Sequence, residues 1–133
     1  LFELLVESSD ARKPELIAKA IQEIQRAGVK PSIWKIEGVE REEDLKRIVE
    51  RANSLGRVGV IILGRGESKA KVRKLLSVAA RIRGVTGFAI GRTVFINALK
   101  KYRDEKISRE QAVEEIAGNY EYFVDLWQKI RGT

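Results

Sequence analysis

The sequence predicts an α/β chain, the (βα)₄ half of a TIM (βα)₈ barrel with an extra C-terminal helix, and three observations predict it. Four short apolar runs rich in β-branched and aromatic residues alternate with longer segments of helical periodicity. The runs recur every ~25–30 residues, the length of one βα unit, with no linker or low-complexity stretch between them. On the second run, Ile33, Lys35 and Glu37 share one face while Trp34 and Ile36 share the other. A strand covered by helices on both faces would rarely point a lysine into one of them, so this pattern favours a barrel wall over a flavodoxin-like open sheet.

The elements follow in order. The first strand is Phe2–Glu7 (FELLVE). Its helix has Pro14 near the start and Ile17, Ala20, Ile21, Ile24 and Ala27 on one face, and stops at Gly28. The second strand, Ser32–Glu37 (SIWKIE), leads to a helix carrying Leu45, Ile48, Val49, Ala52 and Leu55, closed by Gly56. The third, Val58–Leu63 (VGVIIL), precedes a helix from about Ser68 through Val72, Leu75, Leu76, Ala79 and Ile82 to Gly84. Glycine ends each of these helices because it enters the left-handed turn at little steric cost. The fourth strand, Gly87–Ile90 (GFAI), leads to a helix N-capped by Thr93 with Phe95, Ala98, Leu99 and Tyr102. Ser108-Arg109-Glu110-Gln111 reads as a capping box opening the extra helix, with Val113, Ile116, Tyr120, Phe123, Trp127 and Ile130.

The 133 residues are expected to form one domain, residues 1–133, and 44% of them are hydrophobic, enough for a core. No segment approaches the apolar length of a membrane span, and Leu1–Val6 is too short for a signal peptide. The expected location is therefore cytoplasmic. Cys, Met and His are absent, which excludes disulfides, thiol nucleophiles, Cys/His zinc sites and a Ser-His-Asp triad. The missing Met and the start at Leu1 fit a fragment or an engineered half-barrel. The net charge of +7 arises from 26 bases against 19 acids. They are interspersed as on solvated helix faces, so nucleic acid is a disfavoured partner. High charge without Cys or Met also fits heat tolerance.

Barrel active sites sit at the C-terminal strand ends. Lys35, Glu3 and Glu37 are the candidate catalytic residues there. Burial of the Lys35 stem favours the neutral amine that attacks a carbonyl, and Arg65 or Arg92 nearby would favour it further. Glu3 or Glu37 would oppose it, or could shuttle protons. The competing reading of Lys35 is a structural ion pair. Glu3 and Glu37 together are also a weak signal for a divalent cation, and neither a metal nor a cofactor is expected. Gly64-Arg65-Gly66 and Gly91-Arg92-Thr93 are candidate phosphate sites, because glycine admits an anion to backbone amides, the helix start is partially positive and arginine adds a fork of donors. Alternatively, glycine shapes a tight turn while the arginine pairs with a carboxylate.

FELLVE, IWKIEG with the acidic helix start after it, ILGRGE and GFAIGRTVF together resemble the C-terminal half of the barrel domain fused to the 5-dehydro-2-deoxygluconokinases of inositol catabolism. That domain is similar to the class I tagatose 1,6-bisphosphate aldolases. The resemblance implies Lys35 as Schiff-base lysine, Glu3 as the strand-end glutamate near it, Arg92 as a phosphate contact, and backbone amides from Gly64 and Gly91. The implied reaction is aldol cleavage of a phosphorylated ketose to dihydroxyacetone phosphate. The first four βα units of that family lie outside this sequence, and Ser8-Ser9-Asp10-Ala11-Arg12-Lys13 is a shorter connection than the family has. The expected partners are a phosphorylated sugar or inorganic phosphate or sulfate, and a second copy that completes eight strands. The alternative to an aldolase is a non-catalytic scaffold that self-assembles and keeps the phosphate site. A nucleic-acid or partner-binding module is the third reading.

Overall fold

The computed structural model describes residues 1–8 and 11–132; Ser9 and Asp10, in the connection after the first strand, and Thr133 lie outside them. The chain alternates β1 (Phe2–Leu4), α1 (Lys13–Arg26), β2 (Ile33–Glu37), α2 (Glu42–Ala52), β3 (Gly59–Leu63), α3 (Lys69–Ala79), β4 (Val85–Ala89), α4 (Arg92–Arg103) and α5 (Arg109–Arg131). The four strands form one parallel sheet in the order β1-β2-β3-β4. Each strand pairs with the next in sequence, so right-handed crossovers, the default for parallel connections, stack the helices on a single face.

Burial agrees with that arrangement. Trp34, Ile36, Val60, Ile62 and Val85 face the helices and pack with Ile17, Ile21, Leu45, Ile48, Val72, Leu76 and Phe123 in one core. On the opposite face Glu3, Lys35, Ile61 and Gly87 stand in register across the four strands, and none belongs to that core. Trp34 and Ile36 therefore point toward the helices and Lys35 away from them, as the alternation predicts. The fold is a four-stranded parallel α/β arrangement consistent with half a barrel. Among the described residues no helix is long and apolar enough to cross a membrane.

The differences lie at element ends. β1 stops at Leu4 rather than Glu7, because beyond it the Val6 amide donates to the Glu37 carboxylate. α3 ends at Ala79, well before Gly84, and β4 begins at Val85 immediately after that glycine, which has φ +103°. The N-cap of α4 is Gly91, and Thr93 sits inside the helix, where its hydroxyl donates to the Glu67 carbonyl across to the preceding turn. The caps at Ser68 and Ser108 hold: Ser68 accepts from Lys71 N, and the Ser108–Gln111 box forms in both directions. α5 then lies along β4, where Phe88 meets Tyr120 and Trp127 at ring-centroid distances of 6.0 and 5.5 Å.

Candidate functional site

The sheet carries two separate charged groups, one at the C-terminal strand ends and one at mid-strand. The first centres on Glu37, the last residue of β2, whose side chain is only 5% exposed. Its carboxylate accepts from three donors on three separate segments: the Val6 amide at 2.8 Å, Lys13 Nζ at 2.6 Å and an Arg65 guanidinium nitrogen at 2.5 Å. Burial pushes the Glu37 pKa up, but the hydrogen bonds from Lys13, Val6 and Arg65 and the Lys13 charge outweigh it. The net result lies below the ordinary glutamate value. Arg65 is held in turn by Glu7 at 2.6 Å, and its own pKa is raised, first of all by Glu37.

Arg65 reaches this position because its turn is unusual. It adopts φ +51° and Gly66 follows at φ +76°. The turn is clamped from α4, where Arg92 donates to the Arg65 carbonyl at 3.1 Å and Thr93 to the Glu67 carbonyl at 2.7 Å. A Cβ on Gly66 would stand 2.9 Å from the Arg92 guanidinium carbon, so the glycine makes room for that arginine. The two Gly-Arg turns are thus neighbours and mutually braced. Gly64 is buried behind them, and Arg92 is exposed at the rim.

The second group is Lys35 with Glu3. They face each other across the β1–β2 ladder on the half-exposed sheet face, with Nζ 3.0 Å from a Glu3 carboxylate oxygen and side-chain exposures of 23% and 45%. Lys35 is the middle residue of its strand, so it sits below the rim. The structure therefore divides the sequence candidates. It joins Lys35 to Glu3, joins Glu37 to Arg65, and joins Arg65-Gly66 to Arg92-Thr93. Glu3 and Glu37 take different cations, an arrangement unlike a shared metal site. Arg65 takes the carboxylate-paired alternative considered for the Gly-Arg turns. An open cleft of about 940 Å³ lies beside Glu37 and is lined by Lys13, Gly38, Arg65 and Lys71, whereas Lys35 is outside it. The sequence reading missed Lys13 as a partner, and also Glu40, whose pKa falls to about 2 because Lys71 and Lys74 both hydrogen-bond it. Helical spacing gave no signal for either, since both contacts span elements.

A family model described as "Uncharacterized protein conserved in bacteria (DUF2090)" matches residues 1–131. The chain belongs to this family. No curated protein and no solved structure matches it. The DUF2090 match covers all four strands and all five helices, and with them both charged groups.

Proposed function

We propose that this DUF2090 chain is one half of a (βα)₈ barrel of the class I aldolase type, acting on a phosphorylated ketose through Lys35. The observation that carries the reading is the Lys35–Glu3 pair at 3.0 Å on the sheet face turned away from the helix-packed core. A barrel interior is where such a face becomes enclosed, and a second copy of the chain would supply the missing strands. Each Lys35 brings its own Glu3, so closure would bury no net charge from this pair.

In this reading Glu3 takes a proton from the Lys35 ammonium, and the free amine attacks the ketose carbonyl to form a carbinolamine. Glu3 then protonates the departing hydroxyl, which leaves as water to give the iminium. The bond between the α and β carbons then breaks; its electron pair forms the double bond between the α carbon and the former iminium carbon, and the C=N pair moves onto nitrogen. The hydroxyl proton of the departing half passes to a base, releasing an aldehyde and leaving an enamine on Lys35. Protonation of the enamine and hydrolysis return the amine and dihydroxyacetone phosphate. The rim supports phosphate recognition through Arg92, Thr93 and the Gly64, Gly66 and Gly91 backbone near the α4 start, where partial positive charge collects.

The second reading, a non-catalytic half-barrel scaffold, is favoured by the commitment of Arg65 to Glu37 and Glu7. Borohydride trapping with dihydroxyacetone phosphate separates the two. The aldolase reading predicts a stable adduct that maps to Lys35 and disappears in Lys35→Ala. A folded protein that forms no adduct is the scaffold.

A further inference from the structure

We propose that Lys13, Arg65 and the Val6 amide form an oxyanion cradle that the chain's own Glu37 occupies, and that a ligand phosphate or carboxylate binds there by displacing the Glu37 side chain. The inference stands independently of Lys35, which lies on a different part of the sheet.

Three donors of the kind that bind phosphate converge on one carboxylate within 2.5–2.8 Å. The backbone that carries each donor is placed by its own element or turn. The Val6 amide is set by the chain leaving β1, and Lys13 opens α1 beside Pro14. Arg65 is aimed by its left-handed backbone, which Arg92 and Thr93 brace through the carbonyls of Arg65 and Glu67. Glu7 accepts from the second guanidinium nitrogen, so Arg65 keeps one carboxylate partner when Glu37 leaves. An anion that replaces the Glu37 carboxylate would meet the same three donors, with Arg65 and its turn already braced.

The surroundings give Glu37 somewhere to go. It lines the open cleft of about 940 Å³, which offers the displaced carboxylate a route to solvent. Among the described residues that line the cleft, bases and acids are nearly balanced, and the ionised Glu37 in place opposes an incoming anion. Glu37 thus acts as a competitive stopper, and an anion has to outbid a carboxylate that arrives at no translational cost.

The test compares phosphate binding by the whole chain and by Glu37→Ala and Glu37→Gln, using calorimetric titration and thermal unfolding at constant ionic strength set with chloride. Inorganic phosphate is the first probe. Glycerol phosphate beside it distinguishes a substrate-borne phosphate from the free ion, since the tighter of the two names the source. The cradle predicts that Glu37→Ala binds phosphate at least about tenfold more tightly than the wild type, the factor supplied by one charge-assisted contact of ~1.4 kcal/mol. Glu37→Gln, with a neutral and therefore weaker occupant, is expected to fall between the two. Adding Arg65→Ala to Glu37→Ala abolishes the gain. If Glu37→Ala is unfolded in chloride, phosphate is expected to restore its far-ultraviolet circular dichroism, because ligands of the native state stabilise it. Equal phosphate responses in wild type and both variants, or an unfolded Glu37→Ala that phosphate does not rescue, overturn the proposal.

Discussion

Replacing Glu37 by alanine removes the carboxylate that ties the exit of β1, the start of α1 and the β3–α3 turn to the end of β2. A fully buried ion pair broken on one side costs ~3–5 kcal/mol, because the partner charge is left without compensation. Here the partners are wetter than that limit: the Lys13 and Arg65 side chains are 23% and 32% exposed and can recover some hydration. The expected loss from Glu37→Ala in chloride buffer at neutral pH is therefore about 2–3 kcal/mol, or a Tm lowered by about 8–12 °C for a chain of this size. Urea unfolding with a shared m-value measures it. The pH dependence supplies an independent check. Because the folded-state pKa of Glu37 lies below its ordinary value of 4.5, its contribution is fully present above that value. It is lost as pH falls through the folded pKa, where the native carboxylate takes up its proton. The gap between wild type and Glu37→Ala is expected to stay constant from neutral pH down to the ordinary glutamate range and to close below it. A loss under ~0.5 kcal/mol, within the scatter of ordinary surface substitutions, would refute the reasoning.

Other positions give sharper local outcomes. Gly38→Ala places a Cβ 2.9 Å from the Leu75 Cβ, which α3 cannot easily yield, so a loss of about 1–3 kcal/mol is expected in denaturant unfolding. Gly66→Ala forces a side chain into φ +76° and pushes the Arg92 guanidinium aside; a loss of about 1–2 kcal/mol is expected, with weaker retention of phosphate at the rim if Arg92 serves there. Glu40→Gln is expected to leave stability nearly unchanged in urea unfolding at physiological salt, because the Glu40 pairs with Lys71 and Lys74 are solvent-exposed and screened.

Periodicity made the sheet and its helices legible because each element buries a regular stripe, such as Trp34 and Ile36 against Ile17, Ile21 and Leu45. It failed at the ends, where side chains from distant segments intervene. Val6 and Glu7 look like strand residues, yet their partners are Glu37 and Arg65, 31 and 58 positions away, and nothing local announces them. Thr93 has the chemistry of an N-cap, but the clamp to Glu67 takes its hydroxyl and leaves Gly91 at the cap. Strand alternation made the face that Lys35 takes legible, whereas its pairing with Glu3 depends on the β1–β2 register and entered the sequence reading only through the family resemblance. The pairing of Arg65 with Glu37 was readable only as one of two alternatives, since a Gly-Arg-Gly turn serves an external anion and an internal carboxylate equally well.

The central claim is that the sheet face bearing Lys35 is the inside of a barrel closed by a second copy. Light scattering coupled to size exclusion at micromolar concentration tests it most directly. A single species of twice the chain mass, in which hydrogen exchange protects the amides of β1 and β4 as well as those of β2 and β3, is the predicted result. A monodisperse monomer whose β1 and β4 edges exchange freely would contradict it.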